Sequence, residues 1–289
     1  MLIVLALGCT SSFQALRSPP AHDGGGLIPD QPGTEGSQIG GDSQAAFACL
    51  ETGGCGDTGP GGAHIGSDSG LSTGEPTPCP PDMVHVEEQF CIDRYEAPNQ
   101  EGSQPLVMFH YGESQDWCAH RGKRLCFDDE WERACAGPSD MPYPYGADHL
   151  PGTCNDEEIW RVYDGPVLQG WPADASQPGV ASLDELIDRA RASSTTGALA
   201  ADEVMSLYQA EGCGDNAGCG GHYGVFDLTG NVEEWTTRRD GGAPSFHGNL
   251  KGRFWAEART CQSDLTSHGD YFRFYEIGFR CCAVPSEPG

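Results

Sequence analysis

Fourteen cysteines in 289 residues constrain this chain more than any other feature. That many free thiols would be unusual in a reducing cytosol, whereas disulfides persist in an oxidising compartment. Tetrathiolate zinc is the rival use, but it draws on closely spaced pairs of the Cys-x2-Cys type, and the chain has none. Apart from the vicinal Cys281-Cys282 and the pairs Cys49/Cys55 and Cys213/Cys219, the spacings are long. The cysteines are therefore read as cross-links of an extracytoplasmic protein. A bridge that closes a long loop contributes on the order of 2–4 kcal/mol. Connectivity does not follow from spacing. Cys79–Cys91, Cys49–Cys55 and Cys213–Cys219 are the pairs that local spacing suggests, with Cys154, Cys213 and Cys219 interchangeable.

Composition divides the chain. Residues 22–78 hold 16 of the 41 glycines and no Lys or Arg, and their apolar side chains come in ones and twos. Such a stretch buries too little surface to offset its ordering entropy, so residues 10–78 are read as a disordered, Gly-rich acidic linker. Residues 79–285 are enough for one domain with its own core. Ahead of the linker, Met1–Gly8 is apolar and runs into Cys9. This is similar to the end of a bacterial lipoprotein signal, although a basic start and a full-length apolar run are missing. Residues 1–9 are accordingly read as a partial signal, with Cys9 as the lipidation site. The expected location is the bacterial periplasm, or the outer membrane or cell surface. A net charge of −27 repels nucleic acid and anionic lipid. Neither is an expected partner, and membrane contact is expected only through the N-terminal lipid.

Within the domain the periodicities are short. Met83, Val84, Val86, Phe90, Ile92 and Tyr95 alternate like a hairpin with its turn near Glu88. Ser114 can cap a short helix carrying Trp117 and Cys118, and Asp128 another carrying Trp131 and Cys135. Ser182 and Glu185 form a capping box opening SLDELIDRARA. A second amphipathic stretch, ALAADEVMSLYQA, puts Leu199, Val204, Leu207 and Tyr208 near one face and stops at Gly212. These two helices make an insertion at about residues 180–212. The stretch Tyr223–Trp235, YGVFDLTGNVEEW, admits two readings. One is a helix N-terminus capped by Asn231 with glutamates in its first turn. The other is a set of hard oxygens suited to Ca²⁺.

CIDRYEAPN, WCAHRGKRLCFDDEWERACAG, YPYG (Tyr143–Gly146), YGVFDLTGNVEEW and GFRCC (Gly278–Cys282) occur in that order. Together they resemble the formylglycine-generating enzyme, or sulfatase-modifying factor, family across nearly all of residues 79–284. The resemblance implies a loop-rich, disulfide-bonded α+β fold related to C-type lectins, with little regular secondary structure. It implies structural Ca²⁺ held by Asn155, Asn231, Glu234 and the backbone oxygens of Gly230 and Val232. It also implies Cys135–Cys261, and Cys118 with Cys281 or Cys282 while Cys126 takes the other, here taken as Cys118–Cys281 and Cys126–Cys282. Cys154 is then left unpaired.

Active relatives oxidise a sulfatase cysteine to formylglycine with two cysteines that bind copper(I), because soft thiolates select that ion. By resemblance that pair falls between the Gly-Asn-x-x-Glu-Trp motif and a following structural cysteine. Here no cysteine occurs from Asn231 to Thr260, and the corresponding segment is KGRFWAEARTC, Lys251–Cys261. No catalytic residue is assigned, and copper is not expected. The iron-dependent sulfoxide synthases of the family need a histidine cluster; no His-x3-His spacing exists among the histidines of the domain, so iron is not expected either. Whether the chain is an enzyme is left open. The expected role is an envelope-anchored, monomeric binding or scaffold protein whose ligand the sequence does not name. The alternative is an active oxidoreductase with its site relocated to Cys213/Cys219 or to Cys281-Cys282. A calcium-shaped carbohydrate site is a third reading, against which counts the lack of a Glu-Pro-Asn or Gln-Pro-Asp triplet.

Overall fold

The computed structural model describes residues 78–257 and 259–286. The partial signal with its lipidation site Cys9, the Cys49–Cys55 pair and all of the linker except Pro78 lie outside the described residues.

Strands β1 (Met83–Val86) and β2 (Phe90–Asp93) form the hairpin, with Val84 opposite Ile92. Its turn runs through Glu87 and Glu88, both at positive φ. Helix α1 (Tyr111–His120) begins earlier than the Ser114 cap implies. His110 caps it instead: its Nδ1 accepts from the Glu113 N–H at 3.2 Å, and the Glu113 carboxylate accepts from the His110 N–H at 3.0 Å. Strand β3 (Arg124–Leu125) leads into α2 (Asp128–Ala136), where Phe127, not Asp128, occupies the cap position and its N–H is held by Glu130 at 3.1 Å.

The middle of the chain supplies α3 (Gly165–Leu168), α4 (Leu183–Ser193) and α5 (Thr195–Leu207). Ser182 caps α4, its hydroxyl accepting from the Glu185 N–H at 3.2 Å. In α5, Ala200, Ala201, Val204 and Leu207 face the core, while Leu199 is 55% exposed, contrary to its expected place on the apolar face. At about 100° per residue, Leu199 falls well round the helix from the face that Gly197, Ala200, Ala201, Val204 and Leu207 bury.

Two small sheets organise the domain. One is ordered β1-β2-β7-β3, with β7 (Cys281–Ala283) antiparallel to both neighbours. The other is ordered β5-β4-β6, where β4 (Glu233–Thr237) pairs antiparallel with β5 (Gly248–Lys251) and parallel with β6 (Ile277–Phe279). The helix that Asn231 could cap is therefore absent. Glu233 to Thr236 are buried between two strands, and ladder pairing together with burial on both faces overrides a local capping signal.

Among the described residues five disulfides tie these short elements together: Cys79–Cys91, Cys118–Cys281, Cys126–Cys282, Cys135–Cys261 and Cys154–Cys219. Cys213 is free and buried, so the Cys213–Cys219 pair is corrected, as is the unpaired state of Cys154. The loop does not close on itself because its ends are anchored to different elements. Cys213 exchanges backbone hydrogen bonds with Gly102 and Ser103, both at 2.9 Å, whereas the Cys154 and Cys219 sulfurs both lie against Thr229.

Candidate functional site

The Gly230–Glu234 stretch is a junction where separate parts of the chain meet. Gly230 has φ +79°, and a Cβ there would stand 2.3 Å from the Asn155 carbonyl, so only glycine fits without a shift. Its N–H donates to the Gly252 carbonyl at 3.0 Å. Asn231 follows at φ +53°. Its side-chain oxygen accepts from Asn155 Nδ2 at 3.1 Å and from the Glu211 N–H at 2.9 Å, while its Nδ2 donates to Glu96 at 2.8 Å. The other Glu96 oxygen accepts from the Val232 N–H at 3.2 Å. Glu234 is fully buried, and its two oxygens accept from Arg280 at 2.6 and 2.7 Å; Trp131 Nε1 donates to it at 2.9 Å. Arg280 donates further to the Phe226 carbonyl at 2.9 Å.

Asn155, Gly230 and Asn231 meet here, while the Glu234 carboxylate is turned to Arg280 and Trp131. Two of the groups expected to hold calcium are already engaged by donors of the protein. The Glu234 carboxylate is taken by a guanidinium and an indole N–H, and the Asn231 oxygen by two N–H donors. Hard-cation sites need oxygens that converge without such donors. Among the described residues no group of three or more His, Cys, Asp or Glu could hold a metal ion.

Three buried carboxylates, Glu96, Asp227 and Glu234, share the single positive charge of Arg280. Burial, with Asp227 and Glu234 close by, pushes Glu96 well above the usual carboxylate range. Burial also pushes Asp227 up to about 6, despite its hydrogen bond from the Gly214 N–H. Cys213 lies against this cluster, its sulfur 3.7 Å from Glu96 Oε2. Burial, then the Glu96 charge, drive its thiol well above the ordinary cysteine value. Such a thiol is a poor nucleophile and a poor metal ligand.

The segment Lys251–Cys261 runs on from the end of β5. Lys251 is buried with its ammonium 3.0 Å from Glu132 and 2.9 Å from Asp264. Arg253, at φ +61°, pairs with Glu233 at 3.3 Å and with Glu257, which Arg259 also contacts at 3.0 Å. Trp255 is fully buried between Tyr208 and Tyr275, with ring centroids 5.5 and 6.0 Å away. Glu96 and Arg280 had no role assigned from sequence, although both stand inside quoted motifs, CIDRYEAPN and GFRCC. A charged residue flanked by apolar ones was the available signal.

The short elements, two small sheets and dense disulfides define a loop-rich, C-type-lectin-like α+β domain. A family model for the sulfatase-modifying factor enzyme 1-like domain matches residues 82–284, and the chain belongs to that family. It is 25% identical over 192 residues to a bovine (Bos taurus) protein named inactive C-alpha-formylglycine-generating enzyme 2, a match covering 64% of this chain and 52% of the relative. The chain thus spans about half the length of that curated relative. Among solved structures it is similar to PvdO from Pseudomonas aeruginosa, with TM-score 0.37 and 17% identity over 68% of this chain and 80% of that one. A further similarity is to Treponema denticola variable protein 1, with TM-score 0.31 and 17% identity over 56% of this chain and 48% of that one.

Proposed function

We propose that this chain is a binding member of the sulfatase-modifying factor family that has given up thiol-dependent copper oxidation. The observation that carries this reading is the content of Lys251–Cys261. Where active relatives are expected to place two reactive thiols, this segment offers the Arg253–Glu233 and Arg253–Glu257 ion pairs and a buried Trp255. The relocated alternative loses support because Cys219, Cys281 and Cys282 are each tied to a distant cysteine. The naming of the bovine relative as inactive is compatible with this role. Five disulfides fit an oxidising, extracytoplasmic compartment; attachment through a lipid on Cys9 belongs to the same proposal.

The test is to incubate the unreduced protein with copper(I), O₂ and a Cys-x-Pro-x-Arg peptide. No stoichiometric copper binding and no peptide mass loss are expected. Conversion of the peptide cysteine to formylglycine would overturn the reading.

A further inference from the structure

Residues 156–164 run without helix, turn or bend, and none of them has positive φ, so the chain is extended there. Its anchors are few. The Glu158 N–H donates to the Trp255 carbonyl and the Asp164 N–H to Glu203, both at 2.7 Å. Gln209 donates to the Ile159 carbonyl at 3.0 Å, and Arg161 to the Ser206 carbonyl at 2.7 Å. Helix α5 and the residues just after it thus hold the segment in place.

Between these anchors the backbone is free. Among the described residues nothing accepts from the N–H groups of Ile159 to Val162 or donates to the carbonyls of Trp160 to Val162. Residues 157–162 are all exposed. An uncovered run of backbone donors and acceptors is a template for another strand. The side chains fit that use. The stretch has no Gly, Pro, Asn or Ser, and three of the ten exposed large hydrophobic residues among those described fall within it: Ile159 at 82%, Trp160 at 44% and Val162 at 83%. β-Branched and aromatic residues favour strands, and exposed apolar side chains grouped in this way mark an interaction site.

We infer that this segment receives a basic, extended peptide of a partner protein as an added strand. Main-chain hydrogen bonds to an exposed edge supply the affinity in such pairing, and side chains supply the choice of partner. Ile159 and Val162 meet the apolar side chains of the incoming strand. Charge sets the rest of its character. Glu157 and Glu158 are exposed, and among the described residues no cation is paired with either carboxylate, while the Arg161 guanidinium is already turned to Ser206. Lys or Arg side chains of the partner therefore fall opposite Glu157 and Glu158, and the charge of −27 draws a basic segment in. A second copy of this chain would instead set its own carboxylates against these.

This inference rests on the binding reading above, since it names the partner class. Its test pans a display library of random dodecapeptides on the full, unreduced chain and measures the enriched peptides by calorimetry. Enrichment of peptides that alternate β-branched residues and carry Lys or Arg is expected. Ile159→Lys, Val162→Lys and the Glu157→Lys/Glu158→Lys double variant should each weaken their binding by about tenfold or more. Val284→Lys, at another exposed apolar position, should leave it unchanged. Methylating alternate backbone nitrogens of the peptide should abolish binding, which a contact made by side chains alone would survive. Because the substituted side chains are exposed, the variants should fold, as circular dichroism would verify. No enriched peptide of this kind, or binding indifferent to the lysine variants or to N-methylation, overturns the inference. Self-association of the chain that Ile159→Lys and Val162→Lys abolish, seen by sedimentation, also overturns it but keeps the binding reading. Turnover of the Cys-x-Pro-x-Arg peptide would remove that reading whatever the display selects.

Discussion

Glu234 and Arg280 form a bidentate ion pair at 2.6 and 2.7 Å with both side chains fully buried. The pair joins β4 to the residue between β6 and β7, and so couples the two sheets. Removing one partner of such a pair leaves an uncompensated charge out of water, which costs more than the pair contributes. Arg280→Met should therefore destabilise the domain by about 3–5 kcal/mol, measured by guanidinium unfolding. Arg280→Lys keeps the charge but loses the two-pronged geometry and should also be destabilising. Unfolding midpoints equal to wild type would show the pair to be dispensable.

Cys213 should be unreactive in the folded, unreduced protein and alkylated only after unfolding. Its burial and the neighbouring Glu96 charge both disfavour the thiolate. Peptide mapping after alkylation checks this and should recover the linked Cys154 and Cys219 peptides. Recovery of a Cys213–Cys219 link would contradict the anchoring of Cys213 to Gly102 and Ser103.

Stability should fall as pH rises from 6.5 to 8.5. Burial, with the Glu233 charge adding to it, pushes Glu276 up to about 8 from an ordinary 4.5. A carboxyl raised in the folded state binds a proton there that the unfolded chain has already released, so ΔG of unfolding declines with pH until the folded value is passed. Asp93 and Asp227, raised to about 6, act mainly below this window. His110 and His268 are lowered by burial and slope the other way, but mainly below pH 6.5. The fall should be on the order of 1–2 kcal/mol. Glu276→Gln should reduce the slope in urea titrations at fixed pH values, with Glu96, also raised by burial, supplying a remainder. An unchanged slope in that variant would assign the effect elsewhere.

Chelation should leave thermal stability unaltered. Glu234 is held by Arg280 and the Asn231 oxygen by two N–H groups, so these atoms already carry donors. A ligand present at one hundred times its Kd would add about 2.7 kcal/mol, so loss of a bound calcium would lower Tm by several degrees in calorimetry with EDTA. A drop of that size, restored by Ca²⁺, would show that the motif rearranges around the ion.

The folded region was legible largely through its motifs and its cysteines. The hairpin at Met83–Asp93, the Ser182 cap of α4 and the change of composition at Cys79 follow from neighbours in sequence, because turns, caps and alternation are short-range properties. The helix that Asn231 could cap gives way for the complementary reason: β5 and β6 approach from remote parts of the chain and make Glu233–Thr237 a strand.

By itself the sequence determined the family, the oxidising compartment and the lack of any cysteine between Asn231 and Thr260, since each is a matter of which residues are present and in what order. Tertiary structure alone decided that Cys154 bonds to Cys219 while Cys213 stays free, and that Glu234 faces Arg280. Those two pairings join residues 65 and 46 positions apart, and in a domain of short elements their geometry comes from the packed core rather than from local periodicity.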